Sequence, residues 1–394
     1  MTTNEPPDAN ITCPQCGGQV PPMSFCVRCG YSLDDDPMPA RRSGRVQFAA
    51  APRERAWAPH VVSSLFPQLP DADMTYFGIA LVLGLAVIVG LALGGLYPIA
   101  LTVAAALMPL LVLLYLVAVD VYEDEPPLVL GLTMAWGALV GVGLGLWLQN
   151  IDTPLGPPSF SMLGDGDVLL RVVVVPLVGE GLALAALLVL LRYPRFNDVL
   201  DGTTFGAATA VTLIGVQTIV QAWPLVSAGL RPAGESGPWI IRLVEIGVLI
   251  PLIWAGAIGA LAGAFWLRYR APVRDRHALG PLGSPLLALV ASSLLVVAAP
   301  AGLQVLERNP GLIWVAVLAV IAVVLLRRAV HVGLLEEADE TADLGEQIQC
   351  ANCHRPTPRH TFCGQCGIAL RALPKPRPAG GAAAPEPDAP GATP

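Results

Sequence analysis

The stretch that decides the fold is VLLRVVVVPLVGEGLALAALLVLL (Val168–Leu191), followed by a short basic connector and then TTFGAATAVTLIGVQTIVQAW (Thr203–Trp223). Each apolar run is long enough to cross roughly 30 Å of hydrocarbon as an α-helix, because a helix rises ~1.5 Å per residue. Glu180 lies about twelve residues from either end of the first run, near the expected bilayer midplane. A carboxyl group at that depth is costly to insert, so Glu180 is a candidate functional residue.

The second run supplies candidate partners for this carboxyl group. Gln217 and Gln221 are one helical turn apart and share a helix face. If the two helices are antiparallel, Gln217 lies at a depth similar to that of Glu180, and the two side chains could meet inside a bundle. Two roles for Glu180 stay open: an acid/base or metal-binding group in a water-filled cavity, or a protonated structural residue hydrogen-bonded to a neighbour such as Gln217.

Two segments of this region, PLVGE (Pro176–Glu180) and DGTTFGAA (Asp201–Ala208), resemble the PrsW family of intramembrane proteases. In that family one helix carries two adjacent glutamates and then a lysine. An Asp-Gly-x-x-aromatic-Gly-Ala segment follows, then a helix with Phe-x-x-x-Glu-Asn, and later a helix with a histidine. The resemblance implies a helical membrane core over about residues 120–267 and a peptidase site in which Glu180 is the catalytic acid/base.

Several family positions carry other residues in this chain. With the Asp-Gly segment fixing the register, the family's first glutamate, lysine, phenylalanine, third glutamate and asparagine fall on Gly179, Ala183, Leu213, Gln217 and Thr218. The pattern favours a non-catalytic or strongly divergent relative that binds a membrane peptide or lipid within its helices. Two alternatives stay open: an active peptidase that uses Glu180, and a less favoured transporter whose path is lined by Glu180 and Gln217.

The eight cysteines form two repeats with identical spacing. Each repeat has two Cys-x-x-Cys pairs separated by nine residues, and the second half of each reads Phe-Cys-x-x-Cys-Gly. Four thiolates at the corners of a tetrahedron suit Zn²⁺ and leave no open position for catalysis. We therefore predict two structural zinc ribbons that bind cytoplasmic protein partners, with a rubredoxin-like iron site and a redox dithiol as alternatives. The ligands are Cys13, Cys16, Cys26 and Cys29 in the first ribbon and Cys350, Cys353, Cys363 and Cys366 in the second.

Composition sets the class of protein. Apolar residues make up 54% of the chain, charged residues only 13%, and the mean hydropathy is +0.62. These values exclude an ordinary soluble domain and predict an all-α polytopic membrane protein with about eight transmembrane helices. No basic stripe supports nucleic-acid binding. Arginines concentrate in alternate connectors, which predicts a cell-membrane protein with both termini cytoplasmic.

The chain divides into six predicted segments. They are a zinc ribbon (1–30), a flexible linker (31–76), the transmembrane bundle (77–328), a cytoplasmic connector (329–349), a second zinc ribbon (350–370) and a disordered tail (371–394). Within the bundle, Pro176 and Pro251 should kink their helices. Small residues spaced by four, as at Gly137 and Gly141, should let helices approach closely. Arg242 and Glu245 should pair on one helix face.

Overall fold

The computed structural model describes the two cysteine-rich ends and the membrane helices. The described residues are 10–14, 19–28, 30–33, 75–119, 127–151, 168–193, 196, 198–229, 236–270, 280–340, 347–360, 362–368 and 370. Most of the predicted linker (34–74), the whole predicted tail (371–394) and two of the predicted ligands, Cys16 and Cys29, lie outside these residues.

Helices account for most of the described chain, and eight of their segments are long and apolar enough to cross a membrane. This confirms the predicted all-α, multi-pass architecture. The helices are α1 Thr75–Leu93, α2 Tyr97–Val119, α3 Pro127–Ile151, α4 Val175–Leu190, α5 Val199–Ala228, α6 Ser236–Val244, α7 Ile250–Tyr269, α8 Pro285–Val305 and α9 Arg308–Glu340. Helix α9 continues well past the predicted end of the bundle and through part of the predicted connector.

The two prolines expected to disturb their helices each follow a π-helical turn. The turn Leu170–Val174 leads directly into α4, and the turn Glu245–Leu249 joins α6 to α7 within one membrane span. In both helices proline is the second residue. Proline lacks an amide hydrogen and its ring crowds the carbonyl four residues earlier, so a widened turn relieves that conflict. The irregularity predicted at each proline therefore takes the form of a π-turn on its N-terminal side.

Helix α5 is the centre of the bundle. Most of its residues are buried, whereas none of the residues in the span Tyr76–Leu93 of α1 is. The closest approach to α5 is made by glycines of α3. A Cβ atom at Gly141 would lie 3.0 Å from the amide nitrogen of Gln217, and one at Gly145 would lie 2.8 Å from Cβ of Val220. The predicted glycine-mediated contact is thus confirmed for α3.

The chain ends carry two small antiparallel hairpins. Strands β1 (Ile11–Thr12) and β2 (Gln19–Val20) belong to the first cysteine repeat. Strands β3 (Gln347–Gln349) and β4 (Pro356–Pro358) belong to the second. Neither hairpin can form a core from its own few residues, so other interactions must stabilise both.

Candidate functional site

Glu180 is buried inside the bundle beside two serines of α8. The Glu180 side chain is only 2% exposed, and Ser293 Oγ donates a hydrogen bond of 2.7 Å to its Oε2 atom. Ser292 is equally buried and is close enough to interact with the same carboxyl group. Among the described residues, Oε1 of Glu180 and Oγ of Ser292 have no hydrogen-bond partner of ordinary geometry. The site is thus one carboxyl group and two hydroxyl groups contributed by α4 and α8.

The predicted hydrogen bond between Glu180 and Gln217 is absent from this arrangement, since the donor to Glu180 is Ser293. Gln217 lies on α5, where its backbone contacts Gly141 and Gly145 of α3. Gln221 is on the same helix and partly buried. This donor comes from α8, which is not the next helix after α4 in the chain. The signal available in the sequence was the pair of adjacent serines inside a long apolar run.

Gly179, the position that aligns with the first family glutamate, faces packed side chains. A Cβ atom added there would lie 3.0 Å from Cδ1 of Leu144 and 3.1 Å from Cη2 of Trp254. Ala183, at the lysine position, is completely buried. Both positions therefore belong to the packed core, and neither brings a second titratable group to Glu180.

The Asp-Gly segment shapes the start of α5 and its contact with α7. The backbone N–H of Asp198 donates to Oδ2 of Asp201 at 3.2 Å, which satisfies a free amide at the helix start. A Cβ atom at Gly202 would lie 2.7 Å from the Trp266 ring, and the Trp266 indole N–H donates to the carbonyl of Phe196 at 3.2 Å. The segment that carries the family resemblance is structural here, because it fixes where α5 meets α7.

A second buried carboxyl group begins the π-turn Glu245–Leu249. Glu245 is 5% exposed, and its Oε2 atom lies 3.5 Å from Nη1 of Arg242, three residues earlier. This confirms the ion pair predicted from their spacing. Pairing offsets the cost of burying the carboxylate, so we assign the two residues a structural role.

The second cysteine repeat forms a compact four-sulfur site. Its four sulfur atoms lie within 4.8 Å of one another, with Cys350 and Cys366 at 3.8 Å and Cys353 and Cys363 also at 3.8 Å. Hydrogen bonds from the thiols of Cys350 and Cys366 lower the pKa of Cys363, so a thiolate is favoured within the cluster. Four sulfurs at this spacing fit the tetrahedral ligand set of a zinc-binding module.

The first repeat is described in part. Cys13 and Cys26 are buried and pack with Val20 and Val27. Their partners Cys16 and Cys29 lie outside the described residues, so the first site stays a prediction.

A small crevice of about 20 Å³ lies between α7, α8 and α9. Its walls are mostly alanine and leucine, and the buried Ser292 of the Glu180 site also contributes. The lining residues are Ala257, Ala260, Leu261, Ala288, Ala291, Ser292, Leu295 and Leu325. The polar cluster therefore borders an apolar space formed by helices of the bundle.

Fold and site together define a multi-pass helical membrane protein with a buried intramembrane carboxyl group. Residues 125–326 match the family model described as PrsW family intramembrane metalloprotease, and the chain belongs to this family. No protein with a curated description and no solved structure matches the chain significantly.

The family's description implies a metal ion, and a catalytic metal would need protein ligands near Glu180. A hydrolytic zinc site usually has three protein ligands drawn from His, Glu, Asp and Cys, with one open position. Within the described part of the chain, the one group of three or more such residues close enough to share an ion is the cysteine cluster at 350–366. Glu180 has two serine hydroxyls beside it, and these are poor metal ligands. The intramembrane residues that the structure describes therefore do not bring together the ligands that a catalytic metal usually needs.

Proposed function

We propose that this chain is a non-catalytic PrsW-family membrane protein that binds a membrane lipid or peptide within its bundle. The observation that carries the proposal is the environment of Glu180: a single carboxyl group, hydrogen-bonded to Ser293, beside a glycine packed by Leu144 and Trp254. Peptide hydrolysis needs a positioned water and a second acid, base or metal. Glu180 alone can exchange one proton but cannot supply the remaining groups.

The crevice beside Ser292 supports a binding role. Its alanine- and leucine-rich walls suit the end of an acyl chain or a small apolar side chain, and the Ser292 hydroxyl at its edge can bond a polar atom of the ligand. Its volume of about 20 Å³ is room for about one methyl group or one water, so the proposed ligand would place only a chain end or a small apolar group there. A membrane lipid or a transmembrane peptide is therefore the class of ligand we propose.

The ribbons have a separate role in the proposal. Each holds one structural Zn²⁺, and their outer surfaces bind cytoplasmic proteins. The eight candidate spans among the described residues, an even number, support placing both chain ends on one side of the membrane. The arginines of alternate connectors, such as Arg192 and Arg274, support assigning that side to the cytoplasm of a cell membrane.

We expect Glu180→Gln to change stability slightly and to leave proteolysis unaffected. A glutamine oxygen can still accept the hydrogen bond from Ser293, so the cost should be about 1 kcal/mol, the scale of one interhelical hydrogen bond in lipid. The measurement is cleavage of membrane-anchored substrates by wild type and variant in reconstituted liposomes, with thermal unfolding of both proteins in detergent. Ser293→Ala is the matched control, because it removes the donor and keeps the carboxyl group.

Robust cleavage by wild type that Glu180→Gln abolishes would replace this proposal with an active intramembrane peptidase. Loss of cleavage in a variant whose unfolding temperature is unchanged would make that conclusion firm.

We expect Ala291→Leu to reduce the lipid retained by the purified protein, because the larger side chain fills the crevice. Native mass spectrometry of protein extracted in mild detergent measures the bound lipid. Val290→Leu is the control, since Val290 lies on the exposed face of the same helix. Equal lipid retention by both variants would show that the crevice does not bind lipid.

A further inference from the structure

The two cysteine ribbons, at opposite ends of the chain, contact each other. The backbone N–H of Phe25 donates to the carbonyl of Gly364 at 2.9 Å, and the N–H of Phe362 donates to the carbonyl of Val27 at 2.9 Å. In the cysteine repeat Phe25 corresponds to Phe362, and Val27 corresponds to Gly364. The two hydrogen bonds are therefore equivalent contacts made in both directions, as an approximate twofold axis requires.

Side chains at equivalent positions of the two ribbons also contact the opposite ribbon. Met23 of the first ribbon packs on Gly364, where an added Cβ atom would lie 3.1 Å from Cβ of Met23 and still closer to its sulfur. Its counterpart in the repeat, His360, has Nδ1 3.0 Å from the carbonyl oxygen of Val27. Because a carbonyl only accepts, Nδ1 carries the proton in this contact. Each ribbon thus places one side chain on the middle of the other's second Cys-x-x-Cys turn.

The burial of the residues at this contact also indicates that the two ribbons pack against each other. Phe25, Val27 and Phe362 are 3%, 0% and 1% exposed. The Phe362 ring lies 3.1 Å from where a Cβ atom of Gly30 would be, and Gly30 has the positive φ of +69° that favours glycine. A module of about twenty residues cannot bury such side chains with its own atoms. The partner ribbon covers them.

We propose that the terminal ribbons fold as one two-metal module within a single chain, in which each ribbon completes the core of the other. Each ribbon binds the other ribbon of the same chain through the surface around its second Cys-x-x-Cys turn. Loss of metal from one ribbon weakens the other, because the covering residues Phe25 and Phe362 each precede a predicted metal ligand. The pair also ties the chain's two ends together on one side of the membrane, independently of what the bundle binds.

The test uses the full chain with a protease recognition sequence inserted between Leu33 and Thr75. After purification in detergent and cleavage, we expect the N-terminal fragment to co-elute with the bundle in size-exclusion chromatography. Gly364→Leu keeps all eight cysteines but forces a side chain against Met23, so the fragment should dissociate at least about tenfold faster, equivalent to ~1.4 kcal/mol. Gln347→Leu, at an exposed position on β3, should behave like wild type.

Met23→Ala serves as a second variant, because it removes the contact from the first ribbon and leaves the second ribbon unchanged. Metal content is measured on each sample. Immediate release of a metal-loaded wild-type fragment, or no effect of either Gly364→Leu or Met23→Ala, would overturn the proposal. Chains with two different tags are also mixed before cleavage. A fragment recovered with the other tag would show pairing between copies, which overturns an intramolecular module.

Discussion

Gly141→Leu should destabilise the bundle by about 3 kcal/mol or more, near the upper end of the usual cost of overpacking a core. Gly141 faces the backbone of α5, where a Cβ atom would meet the carbonyl oxygen of Leu213 and lie 3.0 Å from the amide of Gln217. Backbone atoms cannot move aside by changing rotamer, so α3 and α5 must separate. Because α5 is the centre of the bundle, the separation disturbs packing on several helices. Thermal unfolding in detergent, followed by circular dichroism, measures the loss.

Gly143→Leu is the matched control for this experiment. Gly143 is on the same helix two residues later, and an added Cβ atom there would meet nothing within 4 Å. Both substitutions bring the same gain in helix propensity and the same added apolar surface. The difference between the two variants therefore isolates the contact with α5. Equal unfolding temperatures would show that the α3–α5 contact is looser than the structure indicates.

This close contact was predictable from the sequence, and its partner was not. Glycines every four residues in an apolar run predict that some helix approaches along that face. Hydropathy does not determine which helix, because every apolar run is equally compatible with lipid and with every other run. The same reasoning applies to the spans themselves. Their number and approximate positions followed from apolar length, whereas the π-turns before Pro176 and Pro251 depend on how each helix resolves a local backbone conflict.

The candidate site was likewise predictable only in part. The depth of Glu180 within its run predicted a buried carboxyl group, and its burial is observed. The identity of its hydrogen-bond partner depended on the rotation of α4, which placed Glu180 beside Ser293 of α8. Those two residues are separated by three intervening helices in the chain, α5 to α7. Comparing apolar runs that are neighbours in the sequence could not predict that contact.

For the cysteine ribbons, spacing predicted the ligands of the second site because Cys-x-x-Cys turns fix local geometry. The contact between the ribbons could not be predicted from the sequence. It joins the two ends of the chain through backbone hydrogen bonds, which do not depend on the identity of the side chains. The repeated Phe before the second Cys-x-x-Cys pair was the available signal. A large aromatic residue in so small a module requires cover, and that cover comes from the other copy of the repeat.

Cys350→Ser should remove about one zinc ion per chain from a protein expected to hold two, because a structural site loses most of its affinity with one thiolate. Binding of structural Zn²⁺ contributes on the order of 10–16 kcal/mol to folding of small zinc modules, so the second ribbon should unfold, and the first ribbon, which packs against it, should be weakened. Ala351→Ser is the control, since it introduces the same residue one position later and keeps all four sulfur ligands of the site. Elemental analysis of protein purified under reducing conditions gives the metal content of each.

The zinc content of Cys350→Ser also bears on partner binding. If the ribbons recognise cytoplasmic proteins, partners captured by wild type and by Ala351→Ser should be missing from Cys350→Ser, while the membrane bundle keeps its unfolding temperature. That separation is expected because the bundle's core is formed by residues of α3, α4, α5, α7, α8 and α9 and, within the described part of the chain, includes none from either ribbon. Unchanged zinc in Cys350→Ser, or iron in place of zinc in wild type, would contradict the assignment of a structural zinc site. A metal-free wild-type protein with its cysteines joined as disulfides would do the same, because the sulfur atoms would then serve as covalent links rather than ligands.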